Sequence, residues 1–157
     1  MSLEELEVID AKTLPIGKLV SMIARGHTIY LNQHLKDLDI TASQLHLLFE
    51  ISHQNNINQE KIAERCNINK GAVARSIKKI EEKDLIERKI DDENRRQNII
   101  SLTAKGRDIL SQSINLLNIW EDEVFDDKII EKEVLQKSLK EILIKTIKLN
   151  EKGEENE

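Results

Sequence analysis

Two asparagines eleven residues apart, Asn58 and Asn69, set the narrowest limits on what this chain can fold into. Asn is a favoured helix N-cap, because its side-chain oxygen accepts a hydrogen bond from a backbone N–H of the first turn. Asn58 therefore predicts a helix from Gln59 to about Cys66, and Asn69 a second from Lys70 to about Glu82. Only Asn67 and Ile68 lie between them, and Asn tolerates the left-handed conformation of a sharp turn better than most residues. Ile57 stands where it can pack on Ile62 as a hydrophobic staple, and Ala63 is small where two helices must approach closely. Helix, tight turn, helix at this length is the helix-turn-helix arrangement.

The second of these helices has two unlike sides. Val73, Ile77 and Ile80 fall on one side at i, i+4 and i+7. At 100° per residue the other side collects Gly71, Ala72, Arg75, Lys78 and Lys79, with Lys70 at its start. No acid occurs between Arg65 and Glu81. The small residues permit close approach and the basic ones suit bases and phosphates, which is what a DNA recognition helix presents.

The net charge of −5 by itself argues against nucleic acid, but the charge is unevenly spread. Residues 57–107 hold thirteen Lys/Arg and nine Asp/Glu; the remainder holds eleven against twenty. Between Lys61 and Ile80 there are six basic residues and a single acid, Glu64. A basic island in an acidic chain fits a phosphate-facing surface; on charge alone it equally fits a solvated helix face.

Beyond Glu82, the run Leu85–Ile90 and the run Gln97–Leu102 are β-prone and flank the polar cluster Asp91–Arg96, a hairpin signal. A hairpin directly after a helix-turn-helix is a wing. The rest reads as helix. Leu19, Val20, Ile23, Tyr30, Leu31, Leu35 and Leu38 form an apolar stripe from about Leu14 to Leu38, with Pro15 near its start. Thr41-Ala42-Ser43-Gln44 has the capping-box pattern, and Leu45, Leu48, Phe49 and Ile51 supply the buried face of the helix that follows. Thr103 caps a helix carrying Ile109, Leu110, Ile114, Leu117, Trp120 and Val124; a last helix carries Ile130, Val134, Leu135, Leu139, Ile142, Leu143 and Ile147. The expected fold is mainly α with a small β-hairpin wing: a winged helix-turn-helix with N- and C-terminal dimerisation helices. Residues 1–38 are the N-terminal arm, 39–107 the DNA-binding domain, 108–149 the C-terminal dimerisation helices and 150–157 an acidic tail. The terminal stripes are too wide for one small lobe to cover, so a homodimer is expected.

No apolar run approaches the roughly 20 residues of a membrane span. The acidic start, Met1 to Asp10, lacks a signal-peptide pattern, and one cysteine in 157 residues allows no internal disulfide. A cytoplasmic protein is expected.

Specific stretches resemble the MarR family of winged-helix transcription regulators. They are Ile40-Thr41-Ala42-Ser43-Gln44, Asn58 to Arg65, and Ile80 to Arg88. The combination of Asp91-Asp92-Glu93-Asn94-Arg95-Arg96 with Ser101-Leu102-Thr103-Ala104-Lys105-Gly106 is the most specific. The resemblance covers about Pro15 to Leu149. It implies a homodimer that lays two recognition helices in successive major grooves of a pseudo-palindromic operator, usually as a repressor, with no enzymatic activity and no cofactor. It implies that Arg96, beside Arg95, enters the minor groove. Asn94 stands where the family usually has an aspartate that orients that arginine, so the hold on Arg96 is a neutral hydrogen bond. Lys83-Asp84 replaces a usual Lys-Gly turn. Release by a small phenolic or other aromatic anion is also implied. Arg25 is a candidate anchor for such an anion, with His27 and Tyr30 nearby in sequence, although an arginine so placed more often makes a solvated or dimer salt bridge.

Rival functions find less support. There is no Gly-rich phosphate loop and no Ser/His/Asp order for an enzyme. His27 and His34, and His46 and His53, are seven residues apart, about 10 Å along a helix, too far to share a metal unaided. Cys66 reads as a small buried hydrophobe; the alternatives are a thiol- or metal-responsive regulator without a phenolic effector, or a helical dimeric interaction protein. The latter leaves the acid-free face and the Arg-Arg hairpin tip unexplained.

Overall fold

Side-chain caps mark out the helices of the middle of the chain, as the spacing of Asn and Thr predicts. A computed structural model describes residues 1–54, 57–66, 68–90, 98–125 and 130–154. Helix α1 is Leu3–Val8, α2 Ile16–His34, α3 Ala42–Ser52, α4 Gln59–Cys66 and α5 Lys70–Glu82. Strands β1 (Ile86–Ile90) and β2 (Asn98–Leu102) follow, then α6 (Ala104–Val124) and α7 (Lys132–Glu154). Asn58 Oδ1 accepts from the Lys61 N–H at 2.9 Å and Asn69 Oδ1 from the Gly71 N–H at 2.8 Å. Thr41 and Gln44 close the expected capping box, at 3.2 and 3.1 Å. The mainly helical winged fold expected from the sequence is the one observed.

Several expectations need correction. The N-terminal stretch read only as acidic contains α1, held by a capping box between Ser2 and Glu5. The long first helix ends at His34, not Leu38. A single 3₁₀ turn, Lys36–Leu38, follows and closes on Asp39, whose φ of 51° is left-handed. Helix α5 ends in the same way. The Leu85 N–H bonds to the Ile80 carbonyl and the Asp84 N–H to the Glu81 carbonyl, with Asp84 at φ 58°. These are Schellman bonds, which normally favour glycine at the left-handed position. Asp bears that conformation at some cost, so the departure from Lys-Gly leaves the turn itself intact. On α3, Phe49 is only half-buried, whereas Leu47, absent from the expected face, is 2% exposed.

Residues Met1–Leu116 form one compact unit and Leu117–Glu157 a second, the division falling within α6. The core of the first gathers Leu45, Leu48 and Ile51 of α3, Ile62 and Ala63 of α4, and Val73, Ile77 and Ile80 of α5, closed by Ile86, Ile100 and Leu102 of the hairpin. The strands are antiparallel in the register Ile86↔Leu102 to Ile90↔Asn98. Ile57 joins this sheet edge as an isolated bridge, its carbonyl accepting from the Ile100 N–H at 2.8 Å. In the second unit, Trp120 packs edge-to-face on Phe125 and Lys132 pairs with Glu121 at 2.7 Å. Val134, Leu139, Ile142, Leu143 and Ile147 are exposed along α7, as are Ile16, Val20, Ile23 and Ile29 on α2.

Candidate nucleic-acid interface

Helix α5 turns its apolar side fully inward, which dictates what its other side displays. Val73, Ile77 and Ile80 are buried, and Lys70, Gly71, Arg75, Lys78 and Lys79 are all exposed, with Ala72 half-buried at the edge. Gly71 and Arg75 are one turn apart. A Cβ placed on Gly71 would lie 3.1 Å from Asn69 Oδ1 and 3.7 Å from Arg75 Nη1. The missing side chain thus leaves room for both the cap and the guanidinium. Lys70 pairs with Glu60 of α4 at 3.0 Å and Lys78 with Glu82 at 3.9 Å. Both pairs are solvent-exposed, worth little and easily exchanged for another anion. Arg75 and Lys79 have no ion-pair partner among the described residues.

Three further ion pairs hold α5 and the elements around it together. Arg65 Nε contacts Glu50 Oε2 at 2.6 Å, tying α4 to the end of α3. Arg88 on β1 contacts Glu81 near the end of α5 at 2.8 Å. Lys83 reaches from the end of α5 to the carboxylate and carbonyl of Asp39, and Lys105 donates to the Lys83 carbonyl at 2.8 Å. Sequence reading missed these positioning residues, because each joins two different elements and only the fold brings them together. Asn94, Arg95 and Arg96, expected at the hairpin tip, lie outside the described residues, as does Asn67 of the turn.

On α2, Arg25 is exposed, whereas His27 and Tyr30 are half-buried. By helix geometry Arg25 stands about 140° round the axis from Tyr30. Tyr30 stacks on His34 with centroids 4.1 Å apart, and Phe49 stacks on His53 at 4.9 Å. Among the described residues no three His, Cys, Asp or Glu side chains come together in a way that could hold a metal ion, and no helix is long and apolar enough to cross a membrane.

Cys66 is half-buried at the end of α4. Burial pushes its thiol pKa up, as does the Glu50 carboxylate, against a lowering by Arg65. The raised pKa leaves less thiolate at neutral pH, and the thiolate is the nucleophile. Iodoacetamide at pH 7.5 is therefore expected to alkylate Cys66 more slowly in the folded protein than in urea, followed by mass spectrometry. Faster alkylation in the folded state would return Cys66 to the candidate sensing thiols.

A helix capped beside a tight turn, basic on its outward side and followed by an antiparallel hairpin, defines a winged helix-turn-helix protein. The MarR family model matches residues 40–97. The chain is 34% identical over 90 residues to the uncharacterised HTH-type transcriptional regulator YybA of Bacillus subtilis (strain 168), covering 57% of this chain and 60% of that protein. It is 32% identical over 100 residues to the HTH-type transcriptional regulator SarZ of Staphylococcus aureus (strain MRSA252), covering 59% of this chain and 68% of SarZ. A crystal structure of MarR superposes with a TM-score of 0.78 at 27% identity, over 92% of this chain and 98% of the other. A mutant MarR from E. coli, solved in complex with operator DNA, superposes with a TM-score of 0.66 at 25% identity, over 83% and 99%. The chain belongs to the MarR family.

Proposed function

We propose that this chain is a sequence-specific DNA-binding transcription regulator, most simply a repressor, which binds a pseudo-palindromic operator as a homodimer. The observation that carries this reading is the outward side of α5. Arg75 and Lys79 are exposed and unpaired among the described residues, on a helix whose opposite side is anchored in the core by Val73, Ile77 and Ile80. Gly71 and Ala72 let its N-terminal end approach a base edge, and Lys70, Lys78 and Lys79 meet phosphates. Asn94, Arg95 and Arg96 supply the wing contacts, Arg96 in the minor groove. The operator complex of the MarR mutant and the regulator names of YybA and SarZ point the same way.

The homodimer is supported by the rows of apolar side chains left exposed on α2 and on α7, since contiguous exposed apolar faces mark association sites. Two recognition helices related by a dyad need two half-sites about one helical turn apart. A small aromatic anion releases the operator by favouring a different spacing of those helices, with Arg25, His27 and Tyr30 on α2 as its contacts. Protein recovered with selected sequences from a random duplex pool should yield an inverted repeat, and light scattering should give a mass near twice 18.1 kDa. A monomer at micromolar concentration, or a pool with no enriched motif, would overturn the reading.

A further inference from the structure

One side chain ties the end of α5 to the end of α2. Lys83, which follows α5, pairs through Nζ with the Asp39 carboxylate at 3.2 Å and donates to the Asp39 carbonyl. The two residues stand 44 positions apart in the chain. Helix α2 itself makes its main helix packing on α3, so Lys83 is a direct bridge between two helix ends that otherwise meet through an intermediary. Its side chain is 30% exposed and that of Asp39 87%. A pair so open to water adds little stability. What it adds is geometry, because a cation held at once by a carboxylate and by a carbonyl at the end of a helical turn has a defined place.

Both ends of the bridge are stiff. The Asp39 N–H donates to the Lys36 carbonyl at 3.0 Å, and the Ile40 N–H to the Leu35 carbonyl at 3.4 Å. Leu35 and Ile40 are buried, so Asp39 is carried by the end of α2. At the other end, the Lys83 carbonyl accepts from Lys105 Nζ at 2.8 Å and the Asp84 carbonyl from the Thr103 hydroxyl at 2.6 Å. The Leu85 N–H returns to the carbonyl of buried Ile80 at 3.0 Å. Asp39 and Asp84 both hold left-handed backbone, at φ 51° and 58°, a small allowed region for any residue but glycine. A displacement of the end of α2 therefore reaches α5 through the lysine side chain.

We propose that Lys83 is a positioning residue which couples the setting of α2 to that of α5 and so fixes the half-site spacing that the protein accepts on DNA; this rests on the dimeric DNA-binding reading above. On that reading the exposed row Ile16, Val20, Ile23 and Ile29 of α2 is buried against the partner copy, while α5 lies in the groove. The separation of the two α5 helices is then set by how each is carried on its own α2. A helical turn of about 34 Å holds about 10 base pairs, so one base pair added between the half-sites shifts them by about 3.4 Å and turns them by about 35°. A dimer with α5 clasped to α2 resists that change, and a dimer without the clasp follows it at lower cost.

The test uses the full chain and three variants. Lys83→Met keeps the stem and removes the amine. Asp39→Asn removes the carboxylate charge with a residue that bears the left-handed conformation, and Lys83→Arg restores a cation. Hydrogen exchange read by mass spectrometry, without DNA, reports on the clasp. In Asp39→Asn, peptides covering residues 80–85 should exchange about threefold faster or more, and in Lys83→Met so should peptides covering residues 35–40. Lys83→Arg should stay near the parent, and all three should melt within about 4 °C of it. Fluorescence anisotropy with the selected inverted repeat, and with spacers one base pair longer and shorter, reports on spacing. The penalty for a changed spacer should shrink about threefold or more in Lys83→Met and return in Lys83→Arg, with the half-site motif unchanged. Parent-like exchange in both Asp39→Asn and Lys83→Met, or a loss of affinity equal at every spacing, would overturn the proposal. A chain that selects no inverted repeat removes the dimeric DNA-binding reading itself, whereas a repeat bound with an unchanged spacer penalty in Lys83→Met leaves that reading standing and removes only the role of Lys83.

Discussion

Replacing Gly106 by alanine is expected to lower stability by about 3 kcal/mol, a large share of the roughly 5–15 kcal/mol that holds an ordinary domain together. Gly106 is buried in the first turn of α6, and a Cβ built there runs into the carbonyl of Leu85. Neither side can give way cheaply. Leu85 is 2% exposed, its carbonyl accepts from the Thr103 N–H at 3.1 Å, and its own N–H closes the end of α5. On the other side, the Gly106 N–H donates to Thr103 Oγ1 at 3.0 Å, and the same hydroxyl donates to the Asp84 carbonyl at 2.6 Å. The clash is therefore between a Cβ fixed rigidly to the helix backbone and a pinned carbonyl, at the joint where α5, the hairpin and α6 meet. At about 2–4 °C per kcal/mol for a chain of this size, Gly106→Ala should melt about 10 °C below the parent, and Gly106→Val should yield little folded protein. Gly26→Ala is the control: no atom lies within 4 Å of a Cβ there, and it should melt within a few degrees of the parent or slightly above it, since alanine favours a helix interior by about 0.5–1 kcal/mol over glycine. Equal melting of Gly106→Ala and the parent would mean that α6 does not meet the end of α5 as described.

That glycine shows how far the sequence can be read. The run Leu102-Thr103-Ala104-Lys105-Gly106 is legible as a family spelling, but its cause is a carbonyl 21 residues earlier in the chain, which no local pattern reveals. What local chemistry decides was legible. Asn58, Asn69 and Thr41 cap helices because the cap bond spans two or three residues, and the burial of Val73, Ile77 and Ile80 follows from helical period alone. Leu47 was missed because a one-sided stripe was assumed for α3, whereas that helix packs on α2, α4, α5 and β2 and is enclosed on most sides. Ile57 has a local reading as a staple, and a second role as a bridge to Ile100 that depends on where the hairpin returns. The end of α2 was misplaced because Leu35 and Leu38 continue the apolar rhythm, while the stop comes from Asp39 adopting a conformation usually left to glycine. In the candidate interface the α5 side chains were legible as a charge pattern. The pairs Glu81–Arg88 and Asp39–Lys83 that hold the helix, and Glu50–Arg65 that holds its neighbour α4, were not, because charges in a chain one-third ionisable offer many pairings and only the fold selects among them.

The largest solution effect is expected from salt. If Lys70, Lys78 and Lys79 of both protomers meet phosphates, six contacts release condensed counterions, and operator affinity should fall about 10³-fold or more between 50 and 200 mM salt. The chain's net charge of −5 does not oppose this, because charges beyond a Debye length of about 8–10 Å are largely screened while the α5 lysines sit at the contact. The exposed Lys70–Glu60 and Lys78–Glu82 pairs, at 3.0 and 3.9 Å, are weak enough to open for phosphate. Arg75 behaves differently. Its guanidinium lies over Gly71 near the start of α5, the end that enters the groove on the proposed reading, and a bidentate contact to guanine is worth about 1–3 kcal/mol of discrimination per half-site. Lys79→Ala should therefore lower affinity evenly across sequences and reduce the log–log salt slope by about 2 for the two protomers. Arg75→Ala should leave nearly that whole slope while the selected motif loses its preference at one position in each half-site. The measurements are fluorescence anisotropy with the selected operator at a series of salt concentrations, and repeat selection with each variant. An affinity flat across that range, or the same even loss in both variants, would show that α5 meets DNA by neither of these routes, and would leave the exposed basic side of the helix as a solvated surface.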